Sequence, residues 1–152
     1  MTHLIVRPIT PDDLTAVLFM VRALAAHHED IATLTPETLA RDALGDPPWM
    51  RVLVTERRGD LVGYAALCPL AQLQFGVRGM DMHHLFVAEQ ARGSGVGRAL
   101  IDASLALCRA EGCRYMTVGT HPENTAAAAV YRAAGFEDLP PPGPRFRMKL
   151  AG

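Results

Sequence analysis

The stretch that decides the fold is Leu85-Phe86-Val87-Ala88-Glu89-Gln90-Ala91-Arg92-Gly93-Ser94-Gly95-Val96-Gly97-Arg98-Ala99-Leu100. Its apolar start reads as a strand, its middle places three glycines within five residues, and its end opens an amphipathic helix. Ile101, Leu105 and Cys108 fall at i, i+4 and i+7, as a buried helix face requires. Gly93, Gly95 and Gly97 lack the Cβ atoms that would hold a ligand away from the main chain. Free amides at a helix start, aligned with its dipole, make a site for phosphate. Arg92 and Arg98 bracket the loop with positive charge, and Ser94 and Val96 lie within it.

Spacing narrows the ligand. A P-loop requires a Lys after its last glycine, and none follows here. The dinucleotide fingerprint requires Gly-x-Gly-x-x-Gly, whereas this loop reads Gly-x-Gly-x-Gly. What matches is Arg-x-x-Gly-x-Gly, at Arg92, Gly95 and Gly97. A second run, Asn124-Thr125-Ala126-Ala127-Ala128-Ala129-Val130-Tyr131-Arg132-Ala133-Ala134-Gly135-Phe136, follows downstream. Together these resemble the two signatures of the GNAT N-acetyltransferase superfamily, in order and at the right separation. The resemblance covers the chain from about Ile5 to Leu150.

Bulk properties fit one soluble domain. A chain of 152 residues can bury a real core, and 49% hydrophobic with 20% charged residues is ordinary for a globular protein. With a net charge of -1, no basic field points to nucleic acid or to a membrane surface. No run approaches the ~20 apolar residues of a membrane span, and the N-terminus lacks a signal-peptide core, so the expected location is the cytoplasm. Cys68, Cys108 and Cys113 lack Cys-x-x-Cys spacing and read as small core residues. Adjacent histidines on a strand point to opposite faces, so His83 and His84 are poorly placed to chelate together. No metal is expected.

Taken in order, the chain reads β-α-α-β-β-β-α-β-α-β-β. Leu4 to Arg7 is a strand stopped by Pro8. Thr10-Pro11 starts a helix that ends near Ala26, and Thr35-Pro36 starts a shorter one through Leu44. Met50 to Thr55 and Leu61 to Leu67 flank a hairpin turn, with Pro69 ending the second strand. Gln72 to Arg78 reads equally as continued strand or as loop. Gly79 to Val87 is the strand that feeds the glycine loop. A helix from Gly95 to Ala110, a strand from Arg114 to Thr120 and a helix from Asn124 to Ala134 follow. Phe136 to Leu139 and Phe146 to Leu150 are expected to pair as the last strands. The expectation is a single α/β domain over residues 1–152, with a mixed sheet of about six or seven strands, about four helices and helices on both faces.

The resemblance implies acetyl-CoA as co-substrate. It places the coenzyme on the main chain of Leu85, Phe86 and Val87 and on the loop from Arg92 to Arg98, with Asn124 and Tyr131 completing the site. It further implies that this strand splays from its neighbour at Arg114 to Thr120. Tyr131 would be the general acid toward the CoA sulfur, because a phenol is protonated at neutral pH. An acceptor ammonium must lose its proton before it attacks, and the superfamily commonly carries the base on the strand before the loop. Alternation puts Asp81, His83, Leu85 and Val87 on one face of that strand. His83 is therefore the candidate base, with Asp81 as an anchor for the amine's charge or as the base itself. Strand position 119 is a glycine, which removes the glutamate base of ribosomal-protein acetyltransferases.

In overall pattern the chain is most similar to the diamine and aminoalkylphosphonate acetyltransferases, from which it departs by carrying His83-His84 in place of acidic residues. His27, His28, Glu29, Asp30 and Trp49 lie where the superfamily shapes its acceptor pocket. The implied activity is direct transfer of acetyl to a small-molecule amine in a ternary complex, without nucleic acid, membrane or acyl-cysteine. A peptide N-acetyltransferase and a non-catalytic acyl-CoA sensor are the alternatives. Oligomeric state is open, with a homodimer among the states the superfamily uses.

Overall fold

The computed structural model describes residues 3–151. The chain divides into two compact units, one through Gly119 and one from Thr120 onward.

The first unit is built on a five-stranded sheet in the order β1-β2-β3-β4-β5. Its strands are β1 (Leu4–Pro8), β2 (Arg51–Arg57), β3 (Asp60–Gln72), β4 (Val77–Val87) and β5 (Tyr115–Val118). The first four pair antiparallel, and β5 joins β4 in parallel, so the sheet is mixed as expected. Helices α1 (Leu14–His27) and α2 (Pro36–Leu44) cover one face. Their residues Val17, Leu18, Met20, Leu39 and Ala43 share a buried cluster with Val54, Tyr64, Ala66 and Phe86. Helix α3 (Val96–Ala110) covers the other face, where Val96 and Leu100 pack with Leu53, Val62 and Ala65. Helices on both faces of the sheet follow from these two clusters.

Local chemistry sets the helix starts. The Asp13 carboxylate accepts hydrogen bonds from Thr10 N at 2.7 Å and Thr10 Oγ1 at 3.0 Å, closing a 3-10 turn ahead of α1. The same carboxylate takes both guanidinium nitrogens of Arg7, at 2.7 and 3.0 Å, and is only 6% exposed. Arg7, helped by the Thr10 donors against the cost of burial, holds Asp13 down to about 2. This pair ties β1 to the entry of α1. At α2, Thr35 Oγ1 accepts from Thr38 N while Thr38 Oγ1 accepts from Thr35 N, with Pro36 at the first helical position.

Two strand expectations change. Pro69 does not end β3, which runs on to Gln72. Beyond Leu67, β3 has β4 as a partner and β2 no longer beside it, so a missing N–H on the unpaired side costs no ladder bond. Gln72 to Arg78 proves to be the tip of this long hairpin, a 3-10 turn at Leu73–Phe75 closed by Gly76 in the left-handed region.

The second unit holds α4 (Thr125–Ala133). Asn124 caps it, its Oδ1 accepting from Ala127 N at 3.0 Å. The two strands expected at Phe136 to Leu139 and Phe146 to Leu150 are absent among the described residues, which leaves five strands rather than six or seven. Arg132 holds Asp138 with two hydrogen bonds, at 2.8 and 2.9 Å, so the chain leaving α4 is tied back to its helix. Pro140, Pro141, Pro142 and Pro144 then remove four backbone donors before Phe146. The helix count of four matches the expectation.

Candidate functional site

Strand β4 ends in the glycine loop and fixes where the loop lies. Gly93 and Gly95 have φ of 77° and 88°, in the left-handed region that β-carbon crowding denies to most residues. A Cβ at either glycine would meet nothing within 4 Å, so the loop's outer surface is open. The first helical bond runs from Ala99 N to Gly95 O at 3.0 Å, which leaves the amides of Val96, Gly97 and Arg98 as the donors of the helix end. Gly63 on β3 lets α3 seat closely here. A Cβ there would stand 2.7 Å from Phe86 O and 3.1 Å from Val96 Cγ1. Arg92 Nε donates to Val87 O at 3.2 Å, and Arg57 donates to Ser94 Oγ at 3.3 Å. Arg98 is paired along its own helix with Asp102 at 3.0 Å, which offsets part of its charge. Arg57 lies on β2, outside both signatures, and nothing in its sequence context marks it as part of this loop.

Next to the loop, β4 outruns its parallel neighbour. Pairing with β5 covers Gly79 to Met82, opposite Tyr115 to Val118, and stops there. His83 to Val87 therefore have β3 on one side and no strand among the described residues on the other. Leu85, Phe86 and Val87 thus lie on the stretch of β4 beyond the end of β5.

A β-bulge at His83 changes which side chains share a face. Ala66 pairs with His84 and Leu67 with Met82, so His83 is an extra residue on β4. Asp81 pairs with Cys68, two residues from Ala66, and so lies on the same face as His84. Leu85 and Val87 lie on the opposite face and pack in the α3 cluster. The expected common face of Asp81, His83, Leu85 and Val87 is thus broken, because alternation holds only without an inserted residue. The same bulge corrects the expectation that His83 and His84 point apart: their rings stack, 4.2 Å between centroids and 15° between planes.

His84 is the half-buried member of this pair and His83 the exposed one. The hydroxyl of Tyr64 lies 3.0 Å from His84 Nδ1. Burial, with His83 and His28 nearby, pushes His84 down to about 4, so its ring is neutral at physiological pH. Asp81 Oδ1 accepts a hydrogen bond from Thr117 Oγ1 at 2.7 Å, across the β4–β5 pairing.

His84 also lines a cavity of about 350 Å³ formed with the end of α1 and the segment that follows it. Val21, Leu24, Ile31 and Leu34 make its apolar wall, and His28, Asp30, Thr33 and His84 bring its polar side chains. Helix α1 ends in a Schellman arrangement: Glu29 N donates to Ala26 O at 3.0 Å and Asp30 N to Ala25 O at 2.8 Å. Glu29 takes the left-handed conformation there, at φ 58°, where glycine is usual. Of the loop residues singled out in the sequence, His28 and Asp30 line the cavity, while Trp49 is 77% exposed elsewhere.

Within the second unit, Asn124 spends its side-chain oxygen on the α4 cap. Tyr131 is half-buried against Phe136, edge to face at 5.9 Å. Burial raises its phenol above the ordinary value, which keeps it protonated at neutral pH. Among the described residues, no group of three or more His, Cys, Asp or Glu could hold a metal ion, and no helix is long and apolar enough to cross a membrane.

The model of the Acetyltransferase (GNAT) family matches residues 19–136, the greater part of the chain. The chain belongs to the GNAT family. It is 35% identical to a mycothiol acetyltransferase of Sanguibacter keddieii over 82% of its own length. That match spans only 40% of the relative. An L-methionine sulfoximine/L-methionine sulfone acetyltransferase of Pseudomonas paraeruginosa is 27% identical, over 88% of this chain and 82% of the relative. The GNAT fold also appears in an aminoglycoside acetyltransferase from an uncultured soil metagenomic sample, solved with sisomicin. It superposes with a TM-score of 0.81 at 17% identity, covering 96% of this chain and 97% of the other.

Proposed function

We propose that this chain is an acetyl-CoA-dependent N-acetyltransferase that acts on a primary amine of a small molecule. One observation carries the reading: the unpaired reach of β4 leads directly into a glycine loop and an open helix end. Extended backbone beside a phosphate-binding turn suits a long acyl carrier with a pyrophosphate, and the open space outside Gly93 and Gly95 suits its close approach. The loop from Arg92 to Arg98, with Arg57, would hold the phosphates, and Leu85, Phe86 and Val87 would line the arm. Bound there, acetyl-CoA supplies an activated thioester carbonyl. The relatives named above carry mycothiol and methionine sulfoximine in their names, both small molecules, which supports a small acceptor.

The proton acceptor on this reading is His84, not His83. A base must be neutral and held in place, and His84 is both. In the tautomer whose Nδ1–H donates to Tyr64 Oη, Nε2 keeps a lone pair for the amine's proton. His83 covers the ring by stacking, and Asp81 is engaged by Thr117. Tyr131 keeps the role of proton donor to the leaving thiolate, on the strength of the signature in which it stands. The likeness to the diamine and aminoalkylphosphonate acetyltransferases extends, on this reading, to the order of elements and not to the acceptor.

The test is release of free thiol from acetyl-CoA in the presence of a panel of amines, with CoA affinity measured in parallel by calorimetry. Amine-dependent thiol release is the expected result. Absence of both CoA binding and thiol release would overturn the reading.

A further inference from the structure

The cavity beside His84 carries more information about the acceptor than either signature does. Its wall is aliphatic, from Val21 and Leu24 on α1 and from Ile31 and Leu34 after it. Among the described residues lining it, the one carboxylate is Asp30, and no Lys or Arg is present. The Schellman turn sets Asp30 in place by its own backbone, directly after Glu29, which takes the left-handed conformation against the preference of a non-glycine residue. The remaining polar side chains are neutral in kind or aromatic: the hydroxyl of Thr33 and the imidazoles of His28 and His84.

We infer that the acceptor is a monoamine with a compact apolar body, its ammonium held by Asp30 and its body against the aliphatic wall. The inference rests on the acetyltransferase reading above and narrows it. A single ammonium finds one opposite charge, and an apolar body of modest size gains by leaving water. A polycation has no second carboxylate to meet. Its further ammonium groups would find no opposite charge on this lining and would gain nothing over water at its open rim, while displacing the apolar contacts that a compact body makes. The same surroundings already keep His84 uncharged. An amino acid's carboxylate would likewise meet no cation on this lining.

The experiment compares 2-phenylethylamine and isopentylamine with spermidine, neamine and methionine sulfoximine as acceptors. For the two monoamines, kcat/KM should exceed that for spermidine or neamine by about 100-fold, the scale on which pocket contacts discriminate. Asp30→Asn should raise KM for 2-phenylethylamine roughly 10-fold and leave KM for acetyl-CoA unchanged. Ile31 is 85% exposed, so Ile31→Glu should fold and add a second carboxylate at the cavity. It should shift the ratio of kcat/KM toward spermidine by roughly 10-fold. If spermidine, neamine or methionine sulfoximine is acetylated better than the monoamines, the acetyltransferase reading stands and this inference alone fails. An unchanged KM in Asp30→Asn would also overturn it. If none of these amines is acetylated although acetyl-CoA binds, this inference falls; if acetyl-CoA does not bind either, the acetyltransferase reading falls with it.

Discussion

Tyr64 and His84 meet across the β3–β4 pairing, phenol oxygen to imidazole Nδ1 at 3.0 Å, on the sheet face covered by α1. Tyr64 stands opposite Phe86 and His84 opposite Ala66, so the two are diagonal neighbours, close enough for an aromatic ring to span. Burial holds the phenol well above its ordinary range, so it stays protonated. Tyr64→Phe keeps the ring packing and removes the group that orients the imidazole. The expected outcome is a fall in kcat of about 10-fold with unchanged CoA affinity, and a stability loss of about 1–2 kcal/mol. Steady-state kinetics beside urea unfolding checks both.

A second prediction follows from the position of His84 near 4, below the ordinary imidazole value of ~6.5. Between these two values the unfolded chain binds the proton and the folded chain does not. Stability from this group is therefore complete above about pH 6.5 and declines as pH falls toward 4. His84→Gln should flatten that part of the stability profile. In kcat/KM, the acid limb belonging to His84 should sit near 4, with any limb at higher pH moving with the basicity of the acceptor. An acid limb near 6.5 that survives in His84→Gln would move the base elsewhere.

Gly97 separates binding from folding. It stands in the first turn of α3, and a Cβ there would meet only Val87 Cγ2, at an ordinary 3.7 Å. Gly97→Ala should therefore leave stability equal or higher by up to about 1 kcal/mol, by helix propensity. The added methyl stands among the amides that would face pyrophosphate, so CoA affinity should drop at least roughly 10-fold. Calorimetry paired with thermal unfolding reads the two effects. Unchanged affinity would remove this turn from the coenzyme site.

Tyr131→Phe tests the proposed acid. The ring keeps its edge contact with Phe136 while the proton donor is lost. A fall in kcat of ~10²–10⁴-fold is expected, the usual worth of general acid catalysis, with CoA affinity little changed. Turnover within a few-fold of the parent across several amines would assign the proton to another group or to water.

The glycine loop and four helices were legible in the sequence because their signals are local. Positive φ at Gly93 and Gly95, the Thr10 and Thr35 starts and the apolar stripe of α1 each depend on neighbours within a turn. His84 was not legible as the held imidazole. Its partner lies 20 residues away on another strand, and the bulge that turns it is a property of the pairing, not of β4 alone. Phe146, Met148 and Leu150 show the opposite failure: alternation is clear, but all three side chains are exposed. Alternation describes what a strand needs from a partner and does not supply one. Pro69 misled for a related reason, since its cost depends on which side of β3 is paired.

The inserted residue at His83 bulges out of β4 without changing the face of any residue on either side of it. Below it, Asp81 stays locked to Thr117; above it, His84 and Phe86 lie on the face that α1 covers. Deleting His83 would close the bulge and leave His84 opposite Ala66 and Leu85 opposite Ala65, so strict alternation would return with every face unchanged. The loss would fall on the stacked ring that covers His84, at 4.2 Å between centroids, and not on the faces shown to α1 and α3. One codon thus sits outside the two-sided count of the strand, a tab of chain that can be trimmed without re-aiming its neighbours.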